Sequence, residues 1–166
     1  MQNSSLSIGF TNLDILRGGD DHDLLNLDRR EALLSQIRRG DFDVVMAAPP
    51  CSTFSRALFS DLEYPMPLRD FFHPKGLPGL SPTEKKKVAD NDLLVNFAIM
   101  AMHGAALAGR FGWLELPEDL GRCKHGVPAS LWQLQPAKDL ANFGYVRGAL
   151  YQCEWSSANY KSRPEF

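Results

Sequence analysis

Cysteine, excess charge of one sign and long apolar runs are all scarce in this sequence. Only three cysteines occur among 166 residues, and this odd, sparse set argues for reduced thiols and against a disulfide framework. The net charge of −2 offers no overall attraction to nucleic acid, so a polyanionic partner would need a local basic patch. The most apolar stretch, residues 93–108, contains Asn96 and His103 and is too short to cross a bilayer.

A secretory signal is not expected either, because residues 1–5 contain no basic region and lead into no long apolar stretch. We therefore expect an intracellular protein, cytoplasmic or nuclear, that is not attached to a membrane. Hydrophobic residues make up 44% of the sequence and charged residues 23%, the ordinary composition of a globular protein. The length suits one domain, and no internal repeat divides the chain. We predict a single domain over residues 1–166.

Short apolar runs alternate with helical segments along the chain. Strands are predicted near residues 6–13, 43–48, 111–116 and 145–155. Helices are predicted over residues 28–39, 81–108 and 129–142, the last weakened by a proline. Four prolines between residues 58 and 80 indicate a long irregular loop, and a loop of that length is typically functional. This order predicts an α/β fold with a Rossmann-like, doubly wound, mainly parallel sheet.

Two of the predicted helices carry terminal signals. Asp28 followed by Glu31 matches a capping box, and Gly40 is a suitable C-terminal stop. The segment Ser81-Pro82-Thr83-Glu84 places a cap, a proline at the first helical position and a capping glutamate in order. These signals predict where the first two helices begin.

The segment Pro49–Ser55, Pro-Pro-Cys-Ser-Thr-Phe-Ser, directly follows the second predicted strand. Proline fixes φ and has no backbone N–H, so two prolines in succession prevent the strand from continuing. Cys51 is therefore expected at the carboxyl edge of the sheet, presented rather than buried, where α/β enzymes hold their reactive groups. A cysteine that packs in the core beside a turn is the alternative interpretation.

A carboxyl group is predicted at the same edge of the sheet. Glu115 interrupts the apolar run of the third predicted strand, and Pro117 again ends the strand. Apolar surroundings would favour the protonated form of this acid, which is what a general acid requires. A solvent-facing glutamate at a strand end is the alternative interpretation.

These segments resemble motifs of the DNA cytosine-5 methyltransferases. The family's catalytic motif, Pro-Pro-Cys-Gln-x-Phe-Ser, is similar to Pro49–Ser55, with Ser52 in place of the glutamine. Its second motif, Glu-Asn-Val or Glu-Asn-Pro, is similar to Glu115-Leu116-Pro117, which lacks the asparagine. Near the end of the sequence, Lys161-Ser162-Arg163-Pro164 looks like the family's basic, substrate-contacting segment.

The resemblance implies a specific chemistry for the predicted site residues. Cys51 would add as a thiolate to C6 of a cytosine that is flipped out of DNA. Glu115 would contact N3 and the exocyclic amine of that base, and Arg163 would be the third catalytic residue. DNA is thus the implied partner, and the implied reaction is methylation of cytosine C5.

The resemblance also implies S-adenosyl-L-methionine as the cofactor and the methyltransferase type of Rossmann-like sheet. Asp14, Asp23 and Pro49 occupy the positions expected to bind that cofactor, and Ser55 and Arg56 those expected to bind substrate. The two aspartates also lie in a turn-rich stretch, where aspartate is common for conformational reasons alone.

Two features of the family are missing from this sequence. No Phe-x-Gly-x-Gly segment precedes the first predicted strand, and no target-recognition region follows the last one. We therefore expect a partial methyltransferase catalytic domain. Such a domain would be active only if the glycine-rich segment and the target-recognition region are dispensable or are supplied by another chain.

Two other enzyme classes fit parts of the pattern. A cysteine hydrolase would use Cys51 as nucleophile and His73, His103 or His125 as base, but no local signature of a cysteine-protease family is present. An adenine amino-methyltransferase would have an aromatic residue after the two prolines. Cysteine at that position favours methylation at C5 over methylation at an amine.

A non-catalytic module with the same fold, which binds nucleic acid or a protein, is the remaining alternative. Its phosphate-facing patch would consist of Arg29, Arg30, Arg38 and Arg39. No metal site is expected, because Cys123 and His125 supply only two of the four ligands that a structural zinc site needs.

Overall fold

Two short parallel strands lie at the centre of the fold. A computed structural model describes residues 7–59 and 65–149 of the chain. Strand β1 is Val44–Ala47 and strand β2 is Phe111–Leu114, with Val44 opposite Phe111 and Ala47 opposite Leu114. Since the strands run in the same direction, their carboxyl ends meet at one edge of the sheet. The predicted strands at 43–48 and 111–116 are therefore present, each slightly shorter than expected.

The helices differ widely in length. The α-helices are α1 (Ile15–Gly18), α2 (Leu27–Arg39), α3 (Pro82–Leu107) and α4 (Gln135–Lys138). Short 3-10 helices cover Gly19–His22, Arg56–Phe59, Leu131–Gln133 and Asp139–Phe143. Among the helices that the structure describes, none combines the length and apolar character needed to cross a membrane.

Helix α3 begins where its capping signal predicts. The Glu84 carboxylate accepts a hydrogen bond from the Ser81 backbone N–H at 2.8 Å, and the Ser81 hydroxyl accepts one from the Glu84 N–H at 3.3 Å. Pro82 occupies the first turn, where a missing N–H costs nothing. After the helix, Gly109 adopts φ 68° and the chain turns into β2. Helix α3 thus connects the two parallel strands.

Among the described residues, helix α3 supplies the largest share of the core, with eight of the 17 buried hydrophobic residues. Its buried positions at helical spacing are Val88, Asn91, Val95, Ala98, Met102 and Ala105. Helix α2 packs against α3 at Gly104, where a Cβ atom would come within 3.2 Å of Ile37. The close approach of the two helices therefore depends on that glycine.

The start of α2 differs from the predicted capping box. Asn26, not Asp28, is the cap, and its side chain accepts a hydrogen bond from the Arg29 N–H at 3.1 Å. Asp28 lies inside the first turn, where its charge still favours the positive end of the helix dipole. Gly40 ends the helix as predicted, in the left-handed conformation with φ 76°.

The two faces of the sheet have different environments. Val45, Ala47 and Leu114 are partly buried against the core that α3 provides. The alternate side chains on the other face are exposed and apolar: Val44, Met46, Phe111 and Trp113. A doubly wound sheet carries helices on both of its faces. In the part of the chain that the structure describes, helices cover only the face that includes Val45 and Leu114. The fold is thus α/β with a small two-stranded parallel sheet.

The first predicted strand, near residues 6–13, is wrong over the residues that the structure describes. Residues 7–13 form no strand, and Ile8 and Phe10 are exposed. An extended segment becomes a strand only when a neighbour pairs with its backbone. Here residues 11–13 line a cavity beside β1 instead of pairing with it.

The end of the chain also departs from the expected pattern. The helix predicted over 129–142 is broken into short pieces, because Pro136 is tolerated in the first turn of α4 but cannot continue an earlier helix. Of the strand predicted over 145–155, residues 145–149 are irregular and 150–155 lie outside the described residues. The Tyr145 hydroxyl donates to the Met102 carbonyl at 2.9 Å. Burial raises the pKa of Tyr145, which keeps this hydroxyl protonated.

Candidate active site

Cys51 lies in a tight turn just beyond the carboxyl end of β1. The strand ends at Ala47, and the two prolines carry the chain out of the sheet. The Phe54 N–H donates to the Cys51 carbonyl at 2.8 Å and closes the turn. Cys51 is partly exposed, so the thiol is presented at the sheet edge as the sequence predicts.

Two buried polar side chains hold this turn against α3. The Thr53 hydroxyl donates to the Asn91 side-chain oxygen at 2.6 Å, and the Asn91 amide donates to the Pro50 carbonyl. Both Asn91 and Thr53 are buried. A single asparagine on α3 therefore contacts the chain on either side of Cys51.

A buried arginine supports the other end of the turn. The guanidinium of Arg69 is fully buried and lies 3.9 Å from the centre of the Phe54 ring. It donates to Asp92 at 2.7 Å and to the Pro74 carbonyl at 2.9 Å. Arg69 thus ties the proline-rich loop before α3, the helix itself and the Cys51 turn together.

Glu115 is the first residue after β2, at the same edge as the Cys51 turn. Its backbone N–H donates to the Ala47 carbonyl at 2.9 Å and extends the ladder between the strands by one hydrogen bond. Glu115 is exposed, whereas the sequence analysis expected apolar neighbours to surround its carboxyl group. That expectation is wrong over the residues that the structure describes. The reason is the alternation of the strand, which points this side chain to the open face.

The segment after Glu115 is fixed to the rest of the site at two points. The Trp132 indole N–H donates to the Pro117 carbonyl at 2.8 Å. The Arg56 guanidinium donates to the Gly121 carbonyl, also at 2.8 Å. Arg56 therefore joins the Cys51 segment to the segment that follows β2. The neighbouring Ser55 accepts a hydrogen bond from the Ala57 N–H at 3.2 Å.

A cavity of about 400 Å³ lies beside β1 and brings together the three residues predicted to bind a cofactor. Asp14, Asp23 and Pro49 all line it, although the first two are far from Pro49 in sequence. One carboxylate oxygen of each aspartate accepts a local backbone N–H, from Leu16 at 2.9 Å and from Leu25 at 2.8 Å. The aspartates therefore shape their turns and also face the cavity.

His22 is a polar cavity residue that the sequence analysis did not single out. Its Nδ1 accepts a hydrogen bond from the Asp14 backbone N–H at 3.1 Å, and its side chain lines the same cavity. Asn91, Thr53 and Arg69 were missed as well. Only Asn91 carried a sequence signal, since it is a polar residue at the spacing of an otherwise apolar helix face.

The histidines proposed as the base of a cysteine hydrolase contact residues other than Cys51. His73 contacts the Asp70 carboxylate at 3.0 Å. The His103 ring stacks on Phe143, with ring centres 4.5 Å apart. In residues 7–59 and 65–149, no hydrogen bond joins Cys51 to a histidine. The geometry therefore gives no support to a cysteine–histidine pair.

The arginine patch of the non-catalytic alternative is largely engaged within the protein. Arg29 lies 3.6 Å from the Asp21 carboxylate, and Arg39 donates to Asp41 at 2.6 Å. Arg30 donates to the Leu24 carbonyl at 2.7 Å. The two carboxylates offset the charges of Arg29 and Arg39, whereas Arg30 keeps its charge because its partner is a neutral carbonyl. Arg163, the remaining predicted catalytic residue, lies outside the described residues.

In the part of the chain that the structure describes, no group of three or more His, Cys, Asp or Glu side chains is arranged to hold a metal ion. Comparison of the chain with family models, with curated proteins and with solved structures finds no match. What the chain does is therefore inferred from its own residues and their arrangement. Three features carry that inference: the Cys51 turn, Glu115 and the cavity beside β1.

Proposed function

We propose that this chain carries the catalytic centre of a DNA cytosine-5 methyltransferase. The observation that supports this most is the position of Cys51, partly exposed in a turn at the carboxyl end of β1. Glu115 follows the neighbouring strand at the same edge, and the cavity beside β1 reaches Pro49. The reaction needs a nucleophile and a carboxyl group at one sheet edge, and a cofactor cavity that comes close to them; here the cavity runs along β1 as far as Pro50, the residue before Cys51.

Cys51 acts as the nucleophile in this proposal. Its thiolate sulfur forms a bond to C6 of cytosine, and the electron pair of the C5–C6 double bond moves to C5, which becomes nucleophilic. After C5 has accepted a methyl group, C5 loses its proton to a base, the C6–sulfur bond breaks and the double bond is restored. The thiolate leaves unchanged, so Cys51 is regenerated.

Glu115 contacts the pyrimidine ring at N3 and the exocyclic amine. The residue is exposed, so a base that enters from solvent can reach it. Addition of the thiolate places negative charge on the ring, and Glu115 offsets this charge as a general acid: its carboxyl group donates a proton to N3, while the other oxygen accepts from the exocyclic amine. The target carbon cannot be reached inside a duplex, so the cytosine must leave the helix before Cys51 can add.

The residues around the cavity fit S-adenosyl-L-methionine as the methyl donor. Its volume of about 400 Å³ falls within the range of small-molecule sites. Apolar side chains such as Leu24 and Phe97 offer walls for an adenine ring, and Asp14 and Asp23 offer carboxylates for hydroxyl and amine donors. When bound, the cofactor supplies the methyl group, while these side chains bind and orient it.

The remaining roles follow the resemblance. Ser55 and Arg56 bind the substrate beside the Cys51 turn, and Arg163 assists at the base. In its finer topology the fold is proposed to be Rossmann-like. Its support is the β1–α3–β2 unit, two parallel strands joined by a helix, from which doubly wound sheets are built.

Covalent trapping on DNA that contains fluorocytosine tests this proposal. Fluorine at C5 cannot leave as a proton does, so the Cys51 adduct persists after methyl transfer and migrates as a protein–DNA species on a denaturing gel. The full chain with S-adenosylmethionine should form this species, and Cys51→Ser should abolish it with the circular dichroism spectrum unchanged. Omission of the cofactor should also prevent trapping.

Cys123→Ser is the matched control, because it removes the other described cysteine, which is also partly exposed. This variant should trap DNA as well as the unchanged protein does. Trapping that survives in Cys51→Ser would overturn the assignment of the nucleophile. A folded wild-type chain that never traps fluorocytosine would overturn the proposed reaction.

A further inference from the structure

The side chain of Asn91 spans the turn that holds Cys51. Its amide donates to the Pro50 carbonyl, and its oxygen accepts the Thr53 hydroxyl at 2.6 Å. Cys51 lies between these two partners, and the Phe54 N–H closes the turn on the Cys51 carbonyl at 2.8 Å. We refer to the two hydrogen bonds of Asn91 as the Asn91 bridge.

The Asn91 bridge joins two buried side chains, those of Asn91 and Thr53. Asn91 is 5% exposed and Thr53 is 2% exposed, so water cannot readily replace either partner. A buried polar group that loses its partner carries the full cost of its desolvation. Pro49 and Pro50 add no backbone N–H to the turn, which leaves it with few other hydrogen bonds. The geometry around Cys51 therefore depends on a side chain of α3.

Asp92, the next residue of α3, fixes the far side of the same turn. It accepts a hydrogen bond from Arg69 at 2.7 Å, and the Arg69 guanidinium lies 3.9 Å from the centre of the Phe54 ring. Two consecutive residues of one helix thus hold the turn before and after the cysteine. Long, regular helices are rigid, so α3 gives the turn a firm base.

We infer that Asn91 is the positioning residue for Cys51. Asn91 does not touch the substrate. It holds the turn so that the thiol is aligned for addition to C6, and in this respect the inference rests on the proposed function. A misplacement of about 1 Å in a reacting group can cost on the order of 100-fold in rate. The Asn91 bridge therefore determines the rate at which Cys51 adds to the substrate, and not only how exposed the thiol is.

Asn91→Ala in the full chain tests this role, with Asn96→Ala as a matched control. Both changes remove an asparagine side chain from α3, but Asn96 is exposed and Asn91 is buried. The first readout is alkylation by iodoacetamide, measured on separate peptides as the rate at Cys51 divided by the rate at Cys123. Loss of the Asn91 bridge should raise this ratio by roughly threefold to tenfold, the factor that a net hydrogen bond represents. Asn96→Ala should leave it unchanged.

The second readout is adduct formation with fluorocytosine DNA. Asn91→Ala should lower the rate at saturating DNA by roughly tenfold to a hundredfold, because alignment is lost while the thiol stays reachable. The DNA concentration for half-maximal rate should not change, since Asn91 does not contact DNA. Opposite effects on alkylation and on addition would distinguish positioning from a general loss of structure.

Thr53 provides a second pair of variants should Asn91→Ala fail to fold. Thr53→Val keeps the shape but removes one arm of the Asn91 bridge and should raise the alkylation ratio, whereas Thr53→Ser keeps the hydroxyl and should restore the wild-type ratio. An unchanged ratio in both Asn91→Ala and Thr53→Val would overturn the inference. A wild-type chain that forms no adduct would overturn the proposed function alone, because the alkylation ratio still tests the Asn91 bridge.

Discussion

Arg69 shows at the scale of single residues how a charge can organise a loop from inside the protein. Its side chain is 0% exposed, and it donates to Asp92 and to the carbonyls of Pro74 and Val88. The Phe54 ring covers the guanidinium at 3.9 Å. A buried charge is tolerated only when it is paired and hydrogen-bonded, and Arg69 meets both conditions through Nη1 and Nη2, while its buried Nε has no hydrogen-bond partner among the described residues. The loop before α3 is therefore held by a charge at its centre.

Arg69→Met tests this role, because methionine fills similar space without charge. We expect the free energy of unfolding to fall by about 2–4 kcal/mol, at the lower side of the range for broken buried pairs because Asp92 keeps some access to water. Urea unfolding measures the change. Lys86→Met is the control, since the exposed Lys86–Asp90 pair on α3 should contribute only about 0.3–0.5 kcal/mol. Equal losses in the two variants would contradict the account.

Single residues of the site differ in how far the sequence could reveal them. The position of Cys51 was predictable because two prolines act locally to end a strand. The partners of that turn were not, because Asn91 is 38 residues from Thr53 and 41 from Pro50 along the chain. Which polar side chains meet across such distances is decided by tertiary packing. The burial of Arg69 left no local signal for the same reason.

At the scale of secondary-structure elements, the sequence predicted features that depend on neighbouring residues, such as a helix cap. It did not predict which segments pair as strands. The start of α3 was predicted correctly because a capping box involves only four neighbouring residues. The strand near residues 6–13 was predicted from a short apolar run, and residues 7–13 form no strand because a strand also needs a paired neighbour. The continuous helix predicted over 129–142 is wrong because of its own proline, which lies in the first turn of the short α4.

The capping box of α3 should make stability depend on acid. Hydrogen bonds from the Ser81 side chain and then from its backbone hold the pKa of Glu84 below its ordinary value. Since the pKa is lower in the folded state, the ionised carboxylate stabilises the fold above the unfolded pKa, and this contribution is lost as the pH falls through the folded pKa. Unfolding measured from neutral to acidic pH should show this loss.

Glu84→Gln removes the titrating group and gives the matched comparison. The difference in unfolding free energy between wild type and Glu84→Gln should be largest near neutral pH and should shrink in the acidic range, below the ordinary pKa of a glutamate. Lys87→Gln, an exposed change on the same helix that leaves the capping box intact, should retain the wild-type acid dependence. A difference that grows as the pH falls would contradict the predicted sign.

At the scale of the whole molecule, the described fold is one-sided. Helix α3 covers one face of the sheet, while Met46 and Trp113 on the other face are 70% and 52% exposed. The sequence predicted the α/β class and the parallel direction of two strands, because alternating strands and helices require a crossover. Within residues 7–59 and 65–149 it predicted a strand near residues 6–13 that does not form, since apolar residues alone do not determine which segments pair. The cavity beside β1 likewise arises from the arrangement of several segments.

Calorimetric titration of the full chain with S-adenosylhomocysteine tests the central claim most directly, because methylation of cytosine requires that the cavity beside β1 bind the cofactor. The account predicts one site with Kd on the order of 1 μM, about −8 kcal/mol. Asp23→Asn should weaken binding roughly tenfold or more, as expected for a hydrogen bond to a charged group. Asp21→Asn, outside the cavity lining, should leave binding unchanged. A folded chain that releases no heat of binding up to ~1 mM ligand would contradict the account.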